Sequence, residues 1–417
     1  MLLQRISKHV KDQNWFAVET RQFLQGCVVG TALLCSACTP SNTSDAPYIT
    51  SSEPLRIVSA NNGDALFSAW DGKRQFPDSL TVIDLSPNAP PLTRTVEGAA
   101  PNTHAGAPYT AVISDGRYAF IPNHPLGAAS EEKDTPSQIT VVDLETETLS
   151  TIHTFDLPHH AWQAMAHPDD MRVIAISDHQ FHVFGMKDRH PKLISESEPF
   201  DLFFMSFAIS PDGTSIIATA AERLAYTTSV ELHLFELSGN SIRHVGEIGV
   251  APDIGKIDQP FAPRFSPDGT RALALNGLGL AGNPPLDAVL GIDMTATPPI
   301  VTDIIPDVAQ GLESLAFHPS GKFAVVTCLD GPYTGHLAVI DLASPTMTIL
   351  YYITVDAFTQ GIEFSPDGSM LFVQSTKSNH INVYVVDGYK LTKHPYVLRT
   401  GEGPGSMALI GKIEGME

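Results

Sequence analysis

The chain has 417 residues, 43% of them hydrophobic, with 31 Gly and 32 Pro, and its formal net charge is -21. An acidic balance this strong argues against nucleic acid or an anionic lipid surface as a partner, because both would repel it. The four cysteines, three near the start and Cys328 alone, form no evenly spaced set and so exclude a disulfide scaffold. Cys328 is expected to pack as a small hydrophobe.

Residues 1–38 read as an export segment. Arg5, Lys8, Lys11 and Arg21 precede the apolar run CVVGTALLCSAC, which is too short to cross a bilayer as a mature helix. Its end, Ser36-Ala37-Cys38 followed by TPSNTSDAP, resembles a bacterial lipoprotein signal. That resemblance implies cleavage and lipidation at Cys38, and hence an exported protein, periplasmic or anchored at the envelope. Residues 39–53 would be a flexible tether, and membrane contact is expected through the anchor alone.

From residue 54 to 411 one phrase recurs. It reads TAVISDGRYAFIPN from Thr110, AMAHPDDMRVIAIS from Ala164, FAISPDGTSIIATA from Phe207 and PRFSPDGTRALALN from Pro263. It returns as LAFHPSGKFAVVTC from Leu315 and IEFSPDGSMLFVQS from Ile362. The last residues of the turns, Gly116, Asp170, Gly213, Gly269, Gly321 and Gly368, recur roughly every 50 residues, a period typical of stacked repeats. In each phrase an apolar run meets a Ser-Pro-Asp-Gly-like turn, where Pro fixes φ and Gly supplies a positive φ, and a β-branched run follows. This predicts a β-hairpin. A third run follows in several units, such as SLTVIDL from Ser79, QITVVDL from Gln138 and LAVIDL from Leu337, and often a fourth, such as MTILYYITV from Met347. Four antiparallel strands per unit describe a propeller blade.

The first unit opens at its second strand, and GPGSMALIG from Gly403 is a first strand with nothing after it. The two fragments complete one another. The expected fold is therefore all-β, a seven-bladed β-propeller over residues 54–411 closed by a C-terminal strand that completes the N-terminal blade, with 412–417 as a tail. Closure removes an exposed sheet edge. The phrases around SLTVIDL, AFHPSGKFAVVTC and EFSPDGSMLFVQS resemble the YVTN-type repeats of lactonase-like seven-bladed propellers. The resemblance covers about residues 54 to 411. It implies the fold, while its hosts include lactonases, lyases, quinoprotein subunits and binding proteins, so function must come from the site.

Propeller sites form at one mouth of the central channel, opposite the turns. Eight residues before each turn marker lie Pro108, Trp162, Met205, Phe261, Glu313 and Gln360, with Gly405 from the closing strand; two residues further back lie His160, Phe203, Gln259 and Phe358. His104, His159 and Asp258 share these loops. The two layers hold no Lys or Arg, which disfavours a phosphorylated substrate. An uncharged ring, sugar or aromatic, fits Trp162, Phe203, Met205, Phe261, Gln259 and Gln360 better.

Glu313 beside apolar neighbours is expected to be desolvated, with a raised pKa suited to acid or base work alongside His160 or His104. A divalent cation would need three or four of His104, His160, Asp258 and Glu313 to converge; the cofactor stays open. Arg264 and Glu363 interrupt a column filled mainly by Ala and suggest a charge pair near the channel. Two functions remain. One is an exported lactonase-like or lyase-like enzyme acting on an uncharged cyclic ligand at the mouth. The other is a non-catalytic, envelope-tethered module that binds a small molecule or glycan or scaffolds a complex. A monomer is expected in either case.

Overall fold

The computed structural model describes residues 48–63, 76–87, 89–98, 111–112, 116–123, 137–169, 171–187, 190–222, 230–255, 257, 259–277, 287–329, 335–356 and 358–411. The signal, the tether through residue 47 and the tail lie outside them. Their strands fall into seven antiparallel sheets, and no helix occurs among the described residues. Taken in chain order as blades, each sheet runs from an innermost strand outward. In the first blade the innermost strand is the C-terminal Pro404–Gly411, followed by Leu55–Asn61, Ser79–Ser86 and Ala89–Glu97. Its pairing of Leu55 with Gly411 and Ser59 with Met407 is the closure expected from the sequence. The same strand also touches the innermost strands Thr359–Phe364 and Ala111–Val112, so the ring has no gap there.

Burial explains the order of strands. The second strand of blade 6, Phe323–Leu329, is buried at every residue, whereas the outermost, Thr348–Val355, alternates between exposed and half-buried until its last residue, Val355, which is buried. A blade has two apolar faces and cannot cover either alone. The core is accordingly divided into seven wedges, each formed by two neighbouring blades. Val58, Val82, Ala119 and Ile121 join blades 1 and 2, for example, and Met370, Phe372, Ile57 and Leu398 join blade 7 back to blade 1. Cys328 is buried in the wedge between blades 5 and 6, as expected of a small hydrophobe. Blade 5 carries an addition, since Gly249–Val250 pairs in parallel with its outermost strand Ile300–Ala309.

The recurring phrase is the turn between the two innermost strands. Gly116, Gly213, Gly269, Gly321 and Gly368 all have φ near +70°, a conformation that costs other residues energy. Ser266 Oγ donates to Asp268 Oδ1 at 2.7 Å, Thr270 N donates to the same oxygen at 3.1 Å, and Gly269 N closes on Ser266 O at 2.9 Å. The hydroxyl bond from Ser266, then the Thr270 amide, holds the Asp268 carboxyl below its ordinary range. Where His replaces Ser, the ring reaches the next blade: His167 Nε2 lies 2.9 Å from Gly213 O and His318 Nε2 lies 3.1 Å from Gly368 O.

Candidate functional site

At the other end of the innermost strands the ladder is interrupted. Each of the six such strands with a readable register there carries a β-bulge, between Ala161 and Gln163, Phe204 and Ser206, Phe261 and Arg264, Leu312 and Ser314, Thr359 and Ile362, and Ser406 and Pro404. Trp162, Met205, Glu313 and Gly405 are the extra, unpaired residues. A bulge reverses the alternation of sides beyond it. Residues three apart therefore share a side: Trp162 with Met165, and Phe261 with Arg264, are partly exposed, while the two residues between each pair are buried. By this register the mouth ring comprises Trp162, Met205, Phe261 and Glu313, all partly exposed, with Gln360 and Gly405 buried at the equivalent positions. Below it lies a waist ring of Met165, Ala208, Arg264, Ala316, Glu363 and Ala408.

Buried polar side chains hold the bulges. Ser206 Oγ lies 2.8 Å from Thr219 Oγ1 and accepts the Ala262 amide of the next blade at 2.9 Å. Thr327 Oγ1 accepts the Ser314 amide at 3.0 Å. Gln374 accepts from Gly361 N at 3.2 Å and donates to Ser59 Oγ at 2.8 Å and Ser406 O at 2.9 Å, tying blade 7 to the closing blade. Such groups would be costly if unpaired, and here they fix where the bulged residues stand.

Glu313 is half-buried and has no hydrogen bond or ion pair among the described residues, and neither of its oxygens is sealed from solvent. Its surroundings are protein-dense, so the water it meets solvates it poorly. This desolvation, followed by the nearby charge of Asp287, pushes its carboxyl up to about 8. Asp287 opens the third strand of blade 5, is 4% exposed, and accepts the Leu312 amide at 3.1 Å through Oδ2.

The wall on blades 3 and 4 is aromatic. Trp162 and Phe203 meet edge to face at 5.8 Å, and His179 stands 5.9 Å from Phe203 and 5.3 Å from His159. Trp162 Nε1 donates to Asp178 Oδ1 at 2.8 Å, and His160 Nδ1 lies 3.3 Å from Asp178 Oδ2. His160 is 46% exposed, and the hydrogen bond to Asp178 raises its pKa against the opposing effect of burial. Asp178 therefore organises this side of the mouth. It sits in the loop Asp178-His179-Gln180, and the available signal was a carboxylate sixteen residues beyond Trp162 in the tight loop of the same blade.

The remaining candidates separate by place. Phe261 packs on the wedge between blades 5 and 6, and Trp162 on that between blades 3 and 4. Gln259 is half-buried, with its backbone N–H donating to Asn276 Oδ1 at 3.2 Å, and Met205 is partly exposed. Gln360 is only 1% exposed and its Oε1 takes a long hydrogen bond from Thr376 at 3.4 Å. His160 and Glu313 stand on blades 3 and 6 and share no hydrogen bond or ion pair. Among the described residues no group of three or more His, Cys, Asp or Glu could hold a metal ion, while His104, Asp258 and Cys38 lie outside them. The suggested charge pair is present, with Arg264 Nη2 3.1 Å from Glu363 Oε1.

This geometry belongs to a seven-bladed propeller with a bulge-lined mouth, and solved structures share its fold. A Bacteroides fragilis protein named provisionally as a 6-phosphogluconolactonase superposes with a TM-score of 0.60 at 15% identity, covering 89% of this chain and 100% of that one. The periplasmic gluconolactonase PpgL of Pseudomonas aeruginosa gives 0.60 at 15%, over 86% and 99%. Hydrazine synthase of Kuenenia stuttgartiensis gives 0.54 at 15%, over 76% and 99%. The chain thus has the fold of the lactonase-like seven-bladed propellers. No protein-family model and no curated protein matches it in sequence.

Proposed function

We propose that the protein is a lactonase-like hydrolase that opens an uncharged lactone ring at the channel mouth. Fold-level likeness to a gluconolactonase and to a provisionally named 6-phosphogluconolactonase supports the class, and one observation at the site carries the mechanism. Glu313 stands in the mouth ring without a partner among the described residues, and burial holds it largely protonated at neutral pH. A neutral carboxylic acid in an open ring is placed to give a proton. Water adds to the lactone carbonyl carbon, the ring C–O bond breaks, and the departing ring oxygen takes the Glu313 proton. The product is a hydroxy acid, and the proton it releases restores Glu313. Trp162, Phe203 and Phe261 would stack the ring, and His160, fixed by Asp178, faces the ligand from the other side of the channel.

A panel of neutral lactones assayed with wild type and Glu313→Gln tests this. Turnover is expected in wild type and lost by a factor of about 10² to 10⁴ in the variant. The wild-type rate should fall as pH rises through about 8, because the acid must be protonated to act. Undiminished turnover in Glu313→Gln rejects the mechanism. No turnover across the panel, with ligand still bound, leaves a binding module instead. We also propose export with lipid on Cys38, supported by the N-terminal sequence alone; the mass of the purified membrane-associated protein tests it.

A further inference from the structure

The bulges place Arg264 one level below Phe261 on the same wall, so a ligand held at the mouth would have a cation beneath it. Among the described residues of the two rings Arg264 is the one Lys or Arg. Its level is otherwise lined by Met165, Ala208, Ala316 and Ala408, apart from Glu363. The guanidinium reaches past the small Ala316 of blade 6 to blade 7 and makes a single contact there, Nη2 to Glu363 Oε1 at 3.1 Å, with the two side chains 18% and 30% exposed. Guanidinium carries five donors in a planar fork that matches a carboxylate in two-point contact. Here one donor is used, no other acceptor meets the group among the described residues, and neither Nε nor Nη1 is sealed from solvent.

We propose that Arg264 is a receptor for a small organic carboxylate inside the channel, with Glu363 acting as the internal competitor for the same guanidinium. Three residues of chain span at most about 10 Å, so a ring held at the mouth can extend a carboxylate to the waist. The apolar waist leaves a carboxylate poorly solvated unless it meets Arg264, which makes the contact selective for charge over shape. The inference deepens the lactonase reading, since opening a lactone creates a carboxylate. It rests on that reading for the ligand's origin and not for the site.

Benzoate and benzamide have nearly the same shape and differ in charge, so titrating both against three proteins isolates the charge. Wild type should bind benzoate more tightly than benzamide. Glu363→Gln should tighten benzoate about tenfold by removing the competitor, and Arg264→Gln should weaken it at least tenfold, with benzamide unchanged in both. Equal binding of the two ligands, or benzoate binding indifferent to Arg264→Gln, overturns the proposal. Should Arg264→Gln fail to fold with Glu363 left unpaired, the double variant Arg264→Gln/Glu363→Gln removes both charges at similar volume and must show the same loss. Glu313→Gln separates the two readings. Loss of lactone turnover there with benzoate binding intact supports both, whereas Arg264-dependent benzoate binding in a protein that turns over no lactone keeps the receptor and discards the hydrolase. Benzoate that inhibits lactone turnover competitively marks the site as the seat of the product acid. Benzoate that binds without competing overturns its placement beneath the mouth.

Discussion

The two ends of the innermost strands are built on opposite rules. At the turn end, polar groups are consumed within a few residues: Ser266, Asp268 and Thr270 satisfy one another, and the glycine between adopts the φ that the turn needs. At the mouth end the backbone breaks register, and the groups that hold it come from other strands and blades, as Gln374 does for Gly361, Ser59 and Ser406. The turn end leaves little polar capacity unspent. The mouth end leaves Glu313 unpaired among the described residues and Arg264 with most of its donors unspent. Stability concentrated at one end allows a costly, poorly solvated group at the other.

The sharpest way to break this contrast is Glu313→Gln. Turnover should fall by about 10² to 10⁴, yet stability should hold or rise. Because the folded carboxyl titrates at about 8 against an ordinary 4.5, the folded state binds more protons than the unfolded state between those values. Wild type should therefore lose more stability than the Gln variant as pH rises from about 5 to 8, since the other shifted groups, Glu363 among them, are common to both; thermal melts of the pair across that range decide it. Melting temperatures of the two proteins that change in parallel with pH would place Glu313 in ordinary solvation.

Next in size is Gln374→Leu, which removes the acceptor of the Gly361 amide and the donor to Ser59 Oγ in a buried place, Ser59 keeping its bond to Asn61. A loss of about 2–4 kcal/mol is expected from urea unfolding, with the closing blade the first to exchange its amides. The turn end offers a graded comparison. A Cβ at Gly368 would stand 2.4 Å from His318 Nε2, while one at Gly239, at φ +59°, meets nothing within 4 Å. Gly239→Ala reports backbone strain alone, about 1 kcal/mol, and Gly368→Ala should exceed it by about 1–2 kcal/mol. Equal losses would mean that His318 swings aside and that the inter-blade staple has no weight.

The same contrast explains what was readable in the chain. The turn phrase was legible because its chemistry is local: Pro, Asp and Gly at fixed offsets specify a hairpin wherever they fall, and their period carries the blade count. The closing strand was legible for the same reason, as a first strand lacking its sequel. Glu313 and the Arg264–Glu363 pair were legible as breaks in otherwise apolar or Ala-rich columns. The bulges were not, since Ser206, Ser314 and Gly361 look like ordinary strand residues until Thr219, Thr327 and Gln374 are seen beside them. Asp178 and Asp287 were missed because each acts on a residue far from it in sequence.

The smallest effect concerns the aromatic wall, and it tests whether that side of the mouth is organised at all. His160 is exposed enough that its pair with Asp178 is worth at most about 1 kcal/mol, so unfolding will not detect its loss. Its titration will. Asp178 raises the imidazole pKa by accepting its hydrogen bond and by its charge, and burial alone opposes this. In Asp178→Asn the charge is gone and the opposing burial remains, so the pKa should drop from above 6.5 in wild type to 6.5 or lower, followed by proton NMR of the ring. Trp162→Phe removes the other partner of Asp178 and keeps its charge, so His160 should stay above 6.5. If the two variants behave alike, Asp178 is not the post on which Trp162 and His160 both hang, and the wall is a set of independent side chains rather than a built surface.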